Sequence, residues 1–272
     1  MLKNKKNLLA TPYLLWSLGF ILIPLAMIFY YGLSDRDSRF TFANIAAIVE
    51  PENAKALGIS VILALIATLI CILLAYPLSL IIAHSRLNQS SFMIFVFILP
   101  MWMNFLLRTL AWQTLLEKNG VINHLLTLLH LPNLSIINTP YAIVLGMVYN
   151  FLPFMILPVH NALSKIDPNV IAAARDLGAN SFQTFCYVIF PLTIPGLISG
   201  ITMVSVPALT TFVISDMLGG GKILLIGNVI EQEFKQANNW NAGSGLSIVL
   251  MIFILLAMGM TAKYDREGGS YF

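Results

Sequence analysis

Apolar residues run through this chain in long unbroken stretches, not at the two- or 3.6-residue periods of half-buried strands and helices. Six stretches could each form a bilayer-crossing helix, which takes about 20 residues. They are Pro12 to about Gly32, Leu57–Ala83, Phe92–Leu115, Tyr141–Leu163, Leu192–Ser215 and Ser244–Ala262. The first follows Lys3, Lys5 and Lys6, as the core of a secretory signal would. It outruns the roughly 7–15 apolar residues of such a core and no small-x-small cleavage pattern follows, so it reads as a span. The pattern predicts an all-α membrane protein of six transmembrane helices over residues 12–262. A short N-terminal segment, 1–11, precedes them and a tail, 263–272, follows.

Polar residues interrupt this pattern most conspicuously at Asp167–Pro191, between the fourth and fifth runs. Asp167-Pro168 is a helix start, an N-cap acceptor followed by proline at the first helical position. Val170, Ala174 and Leu177 then share one face, and Gly178 closes the turn. Asn180 with Gln183 has the spacing of a capping box for a second helix, whose apolar face is Phe182, Phe185 and Ile189. Pro191 marks the start of the next span. Two short helices joined by a glycine would project from the membrane, and phenylalanines on such a loop need a cover.

Other loops say less. Asn133 to Pro140 is turn-rich and carries no chemistry. Between Asp216 and Gly243, Gly219-Gly220-Gly221 ends the fifth span. Ile223, Ile226 and Ile230 then predict a short helix at the outer mouth, with Glu231 and Glu233 beyond. Gly196 and Gly200 form a small-xxx-small face that fits either another span or another subunit.

Composition and charge narrow the class. The chain has 272 residues, 58% hydrophobic and 10% charged, against about 25% charged in soluble domains. A formal net charge of +3, dispersed along the sequence, points away from nucleic acid. Six spans place both termini on one side, and the early lysines favour the cytoplasm for it. Asp35, Asp37, Glu50, Glu52, Glu117, Asp216, Glu231 and Glu233 would then face outward, where acids gather cations. Arg108 lies inside a span and should pair with a carboxylate or backbone carbonyls, or snorkel to the membrane edge. Cys71 and Cys186 read as small apolar residues.

Enzyme motifs are missing. There is no HExxH, GxSxG or Cys-x-x-Cys, and Gly219–Lys222 lacks the rest of a phosphate-binding loop. His84, His124, His130 and His160 lack metal-ligand spacing. The reading is a transport subunit that binds no cofactor and takes its energy from another subunit or an ion gradient. A gradient-driven transporter for a small organic cation is the alternative. It calls for an intramembrane acid cluster, usually with an internal repeat, and neither is seen.

AAARDLGANSFQTFCYVIFPL resembles the cytoplasmic loop of ABC-transporter permeases of the binding-protein-dependent importer type. That pattern is Glu-Ala-Ala, three residues, Gly, nine residues, Ile, one residue, Leu-Pro. Registered on Gly178, the match takes in Ala173, Ala174, Val188, Phe190 and Pro191, with Ala172 in the glutamate's place. The resemblance implies that this loop docks into an ATP-binding subunit through Ala172, Ala173, Ala174, Arg175, Asp176, Gly178, Ala179, Phe182, Phe185 and Pro191. Without the glutamate, docking would rest on shape and apolar burial.

LPMWMNFLLRTLAW (Leu99–Trp112), NGVIN (Asn119–Asn123), LPFMILP (Leu152–Pro158) and SDMLGGGKILLIGNVI (Ser215–Ile230) are similar to the spermidine/putrescine permeases over most of residues 10–250. The tail AKYDREGGSYF departs from the basic tail usual there. The resemblance implies a bacterial inner-membrane importer with cytoplasmic termini. Its partners would be a second related permease, two ATP-binding subunits that hold the ATP, and an extracytoplasmic polyamine-binding protein. A flexible polycation needs carboxylates for its ammonium groups and aromatic faces for its methylenes. Asp216 is the first candidate, then Glu231 and Glu233, with Trp102, Trp112, Tyr149 and Trp240 as the aromatics.

Overall fold

A computed structural model describes residues 12–84 and 96–268. The segment 1–11 with its lysines, the start of the third apolar run and the last four residues lie outside the described residues. What is described is all-α apart from one isolated bridge, Ser34 to Phe40. The long helices are α1 (Pro12–Gly32), α2 (Pro51–His84), α5 (Pro140–Ser164), α7 (Ser181–Thr210) and α10 (Trp240–Gly268). Shorter ones are α3 (Phe105–Leu116), α4 (Val121–Leu128), α6 (Pro168–Asp176), α8 (Val213–Gly219) and α9 (Ile226–Lys235).

Five helices among the described residues are long and apolar enough to cross a membrane. They answer to the first, second, fourth, fifth and sixth apolar runs. The third run does not form the continuous helix expected over Phe92–Leu115. In its described part, Leu99–Trp102 is a 3₁₀ turn and Met103 is extended. Helix α3 then starts afresh because Asn104 Oδ1 accepts from the Leu106 and Leu107 N–H groups, at 2.8 and 3.4 Å. A local polar cap has broken an apolar stretch, as Asn does at helix starts. Helix α4 is an element that the sequence reading missed.

The fifth run is also corrected. Helix α7 begins eleven residues before Leu192, at Ser181, and stops at Thr210 rather than Ser215. Pro191 therefore marks no helix start. Ahead of it the Phe190 N–H reaches Phe185 O, a π turn over Phe185–Ile189, and this widened turn carries the helix through the proline. The second loop helix and the fifth span are one rod.

The chain divides into two compact units, Met1–Lys55 with Val229–Ile254 and Ala56–Asn228 with Leu255–Phe272. In the first, α1 and α10 approach closely at Gly32, where a Cβ would lie 2.5 Å from Ile248 Cδ1. Asn44 and Asn241 tie the chain beyond α1, their side-chain amides donating to Ser34 O at 2.8 and 2.6 Å.

In the second unit α5 is the buried centre, with Ile143, Met147, Met155 and Val159 fully enclosed. Helix α7 packs along it through Gly196 and Gly200. A Cβ at Gly196 would meet Pro158 O at 2.6 Å, and one at Gly200 would meet Met155 Sδ at 2.5 Å. The small-xxx-small face is thus used within the chain, against α5. Cys71 is buried, and both cysteines are free.

Candidate functional site

The projecting loop is built as its residues dictate. Asp167 Oδ1 accepts from the Asn169 N–H at 2.9 Å, with Pro168 at the first helical position. Gly178 has φ +87°, and the Gly178 and Ala179 N–H groups close the end of α6 on Arg175 O and Ala174 O. Both halves of the capping box form, Gln183 N to Asn180 Oδ1 at 2.8 Å and Asn180 N to Gln183 Oε1 at 2.9 Å.

The apolar face expected for the second helix splits in two. Phe185 turns inward and meets Tyr76 of α2 edge-on at 5.8 Å, and Ile189 is buried. Phe182 is 74% exposed, and Leu177 beside the glycine turn is 90% exposed. Ala172, Ala173, Arg175, Asp176 and Gly178 are exposed too, with Ala174 and Ala179 half-buried. The loop offers the bare Leu177 and Phe182 side chains on a capped frame, with Tyr187 exposed further along.

That frame is fastened to the spans. Thr193 Oγ1 donates to Phe190 O at 2.9 Å. Its one proton is then used, so the Tyr76 hydroxyl donates to Thr193 Oγ1 at 2.6 Å. Phe190 also leans on the Tyr76 ring at 5.9 Å. Tyr76 joins α2 to the rod that carries the loop.

The expected pathway residues are only partly gathered. Trp112 of α3 meets Tyr149 of α5 at 5.2 Å with rings inclined by 69°. Asp216 stands exposed in the first turn of α8, and α8 packs against both α3 and α5. Among the described residues its carboxylate has no hydrogen bond or ion pair. Trp102 is exposed at the end of its 3₁₀ turn. Glu231, Glu233 and Trp240 belong to the other compact unit. There Glu231 pairs with Lys235 at 2.7 Å, and Trp240 packs edge-on against Phe234 at 5.5 Å. Both acids sit inside α9 rather than beyond the short helix expected there.

What holds Asp216 in place was not foreseen. Helix α7 breaks at Thr211, well before the glycines, and Phe212 O beyond the break accepts from Asp216 N at 2.9 Å and Asn228 Nδ2 at 3.1 Å. Asn228 Oδ1 accepts from the Leu225 N–H at 3.1 Å and from the Ser215 hydroxyl. Ser60 of α2 accepts from the Ile226 N–H at 2.8 Å. Gly227 completes the knot, since a Cβ there would come within 2.8 Å of Thr210 O. Ser60, Ser215 and Asn228 are all buried. Their signal in the sequence was polar side chains in apolar surroundings, which have to find partners.

Arg108 has neither the carboxylate nor the carbonyl partner expected of it among the described residues. It is 7% exposed, and its Nε and Nη1 have no hydrogen-bond partner among the described residues. Nor do the described residues hold any group of three His, Cys, Asp or Glu that could bind a metal ion.

Comparison with known proteins adds to this geometry. The family model for the binding-protein-dependent transport system inner membrane component matches residues 8–266. The chain is 39% identical to the spermidine/putrescine transport system permease protein PotB of Haemophilus influenzae over 250 residues, 89% of this chain and 87% of that one. It is 37% identical to PotB of Escherichia coli over 251 residues, 89% and 91% of the two chains. A chain of the crystal structure of a bacterial alginate ABC transporter, bound to its alginate-loaded periplasmic protein, superposes with a TM-score of 0.75 at 16% identity, covering 97% of this chain and 96% of that one. That likeness carries the fold. With a family match over residues 8–266 and five helices among the described residues long and apolar enough to cross a membrane, the chain belongs to the inner membrane components of binding-protein-dependent transport systems.

Proposed function

We propose that this chain is the membrane permease subunit of an ATP-driven polyamine importer, carrying spermidine or putrescine inward by alternating access. The observation that carries the reading is the 36–39% identity to spermidine/putrescine permeases across nearly the full length of both partners. The chain pairs with a second, related permease. Two ATP-binding subunits grip the 167–191 loop, and an extracytoplasmic binding protein delivers the substrate. Six spans over residues 12–262, with both termini in the cytoplasm, put that loop on the ATPase side. The bare Leu177 and Phe182 side chains supply apolar surface to be covered there.

The mechanism follows from the rod. Closure of the ATPase pair pushes the α6–α7 corner, and the Tyr76–Thr193 bond and the Tyr76–Phe185 contact pass the movement to α2. A capped, continuous helix transmits such a push with less loss than two helices hinged at Pro191. On the outer side Asp216 receives an ammonium group, and the Trp112–Tyr149 pair faces the methylenes. Glu231 and Glu233 meet the binding protein or the arriving cation.

The test is uptake and ATPase stimulation in proteoliposomes holding the whole assembly, with spermidine, putrescine and sulfate compared. Stimulation by the two amines and none by sulfate is expected. Transport that follows an imposed proton gradient and ignores ATP would contradict the reading.

A further inference from the structure

Arg108 is the one charged side chain counted among the buried residues. Its Nε and Nη1 are buried and have no hydrogen-bond partner among the described residues. A lone buried cation is costly in a protein and more so at membrane depth. One turn further along α3, Trp112 touches Tyr149. The next residue, Asn150, leaves its own Oδ1 sealed and unpartnered. Among the described residues α3 therefore carries orphaned donors and α5 an orphaned acceptor. A movement of the helices that brings these groups to partners would relieve the deficit.

The counter-ion can be narrowed by elimination. Helix α3 packs against α4, α5 and α8. Helices α4 and α5 contain no carboxylate, and α8 contains one, Asp216. Glu117 follows α3 itself, nine residues along, which is about 13 Å at 1.5 Å per residue. Asp216 is exposed and unpaired among the described residues, as Arg108 is sealed and unpaired. The described conformation keeps these two opposite charges apart on helices in contact.

We infer that Arg108 is the resident cation of the pathway. When α3 and α8 shift during transport, its guanidinium takes the Asp216 carboxylate and displaces the substrate's ammonium group. Substrate and Arg108 occupy the carboxylate in turn, which gives the two conformations the differential contact that coupling requires. Guanidinium suits the task because it stays charged and can grip a carboxylate with two parallel hydrogen bonds. Release then needs no loss of charge pairing at Asp216. This inference rests on the reading of Asp216 as the ammonium site.

The experiment uses the complete assembly in proteoliposomes and measures spermidine uptake for Arg108→Gln, Arg108→Lys, Asp216→Asn and the Arg108→Gln/Asp216→Asn double variant. Arg108→Gln is expected to lower the maximal rate about tenfold without raising the apparent KM, because release slows, and Arg108→Lys to recover part of it. In the Asp216→Asn background the same change should add less than about twofold, since residues acting as a pair are non-additive. A second readout covers variants that assemble poorly. Cysteines placed at both positions should cross-link in one nucleotide state and be protected by spermidine. If Asp216→Asn lowers uptake about tenfold but Arg108→Gln multiplies independently in that background and no cross-link forms, the inference falls and the Asp216 reading stands. If Asp216→Asn transports at the wild-type rate, both fall.

Discussion

Two glycines show how single residues act here for opposite reasons. Gly178 faces open space, yet its φ of +87° lies where side chains with a Cβ are strained. Gly196 has ordinary backbone and no room, with Pro158 O in the way. Gly178→Ala should cost the loop about 1–2 kcal/mol, the left-handed penalty, and show as ATP hydrolysis less well coupled to uptake. Gly196→Ala should cost about 1–3 kcal/mol through forced repacking of α5 on α7, seen as a lower midpoint of thermal unfolding in detergent. Gly58→Ala, where nothing lies within 4 Å, is the control and should leave that midpoint unchanged or slightly raised. Asn228→Leu removes both sides of an amide clamp and strands the Leu225 N–H, while Phe212 O keeps the Asp216 N–H. A loss of about 1–3 kcal/mol is expected for stranded buried groups. Reduced uptake should come with it, because α8 and Asp216 lose their anchor.

Among the elements, the α6–α7 corner was legible because each of its signals is local. The Asp-Pro start, the glycine turn and the Asn-x-x-Gln box are each decided within four residues. The termination at Pro191 was not legible. A π turn is set by how the helix packs, here with Phe185 and Phe190 on Tyr76, and the proline alone reads as a stop. The third run failed for a similar reason, since hydropathy averages over the one residue, Asn104, that caps α3 and breaks the stretch. In the candidate site, residue types suggested Asp216, Trp112 and Tyr149. The partners that hold the segment around Asp216, Asn228 twelve residues on and Ser60 on α2, come together only in the fold. Phe182→Ala should leave folding intact, because that side chain is already bare, and weaken copurification with the ATP-binding subunits. Phe185→Ala should do the reverse, lowering thermal stability by less than the roughly 3 kcal/mol of a fully buried aromatic, since Phe185 is half-buried against Tyr76.

At the scale of the molecule, α7 carries the capped 167–191 corner at one end and has a carboxylate, Asp216, just past the other. The single rod between them links these two ends. The helix break at Thr211–Phe212 lets Asp216 move as part of a short, separately tied piece and not as part of the rod. Under the proposed function, substrate handling and energy input would fall on different elements of one chain.

The most direct test is spermidine uptake by the reconstituted assembly, with ATP enclosed on the loop side, for the wild type and for Asp216→Asn. The account predicts uptake that needs ATP, saturates with spermidine and falls at least about tenfold in the variant, while the assembly still forms and hydrolyses ATP. Uptake unchanged by Asp216→Asn, or driven as well by a proton gradient as by ATP, would contradict it.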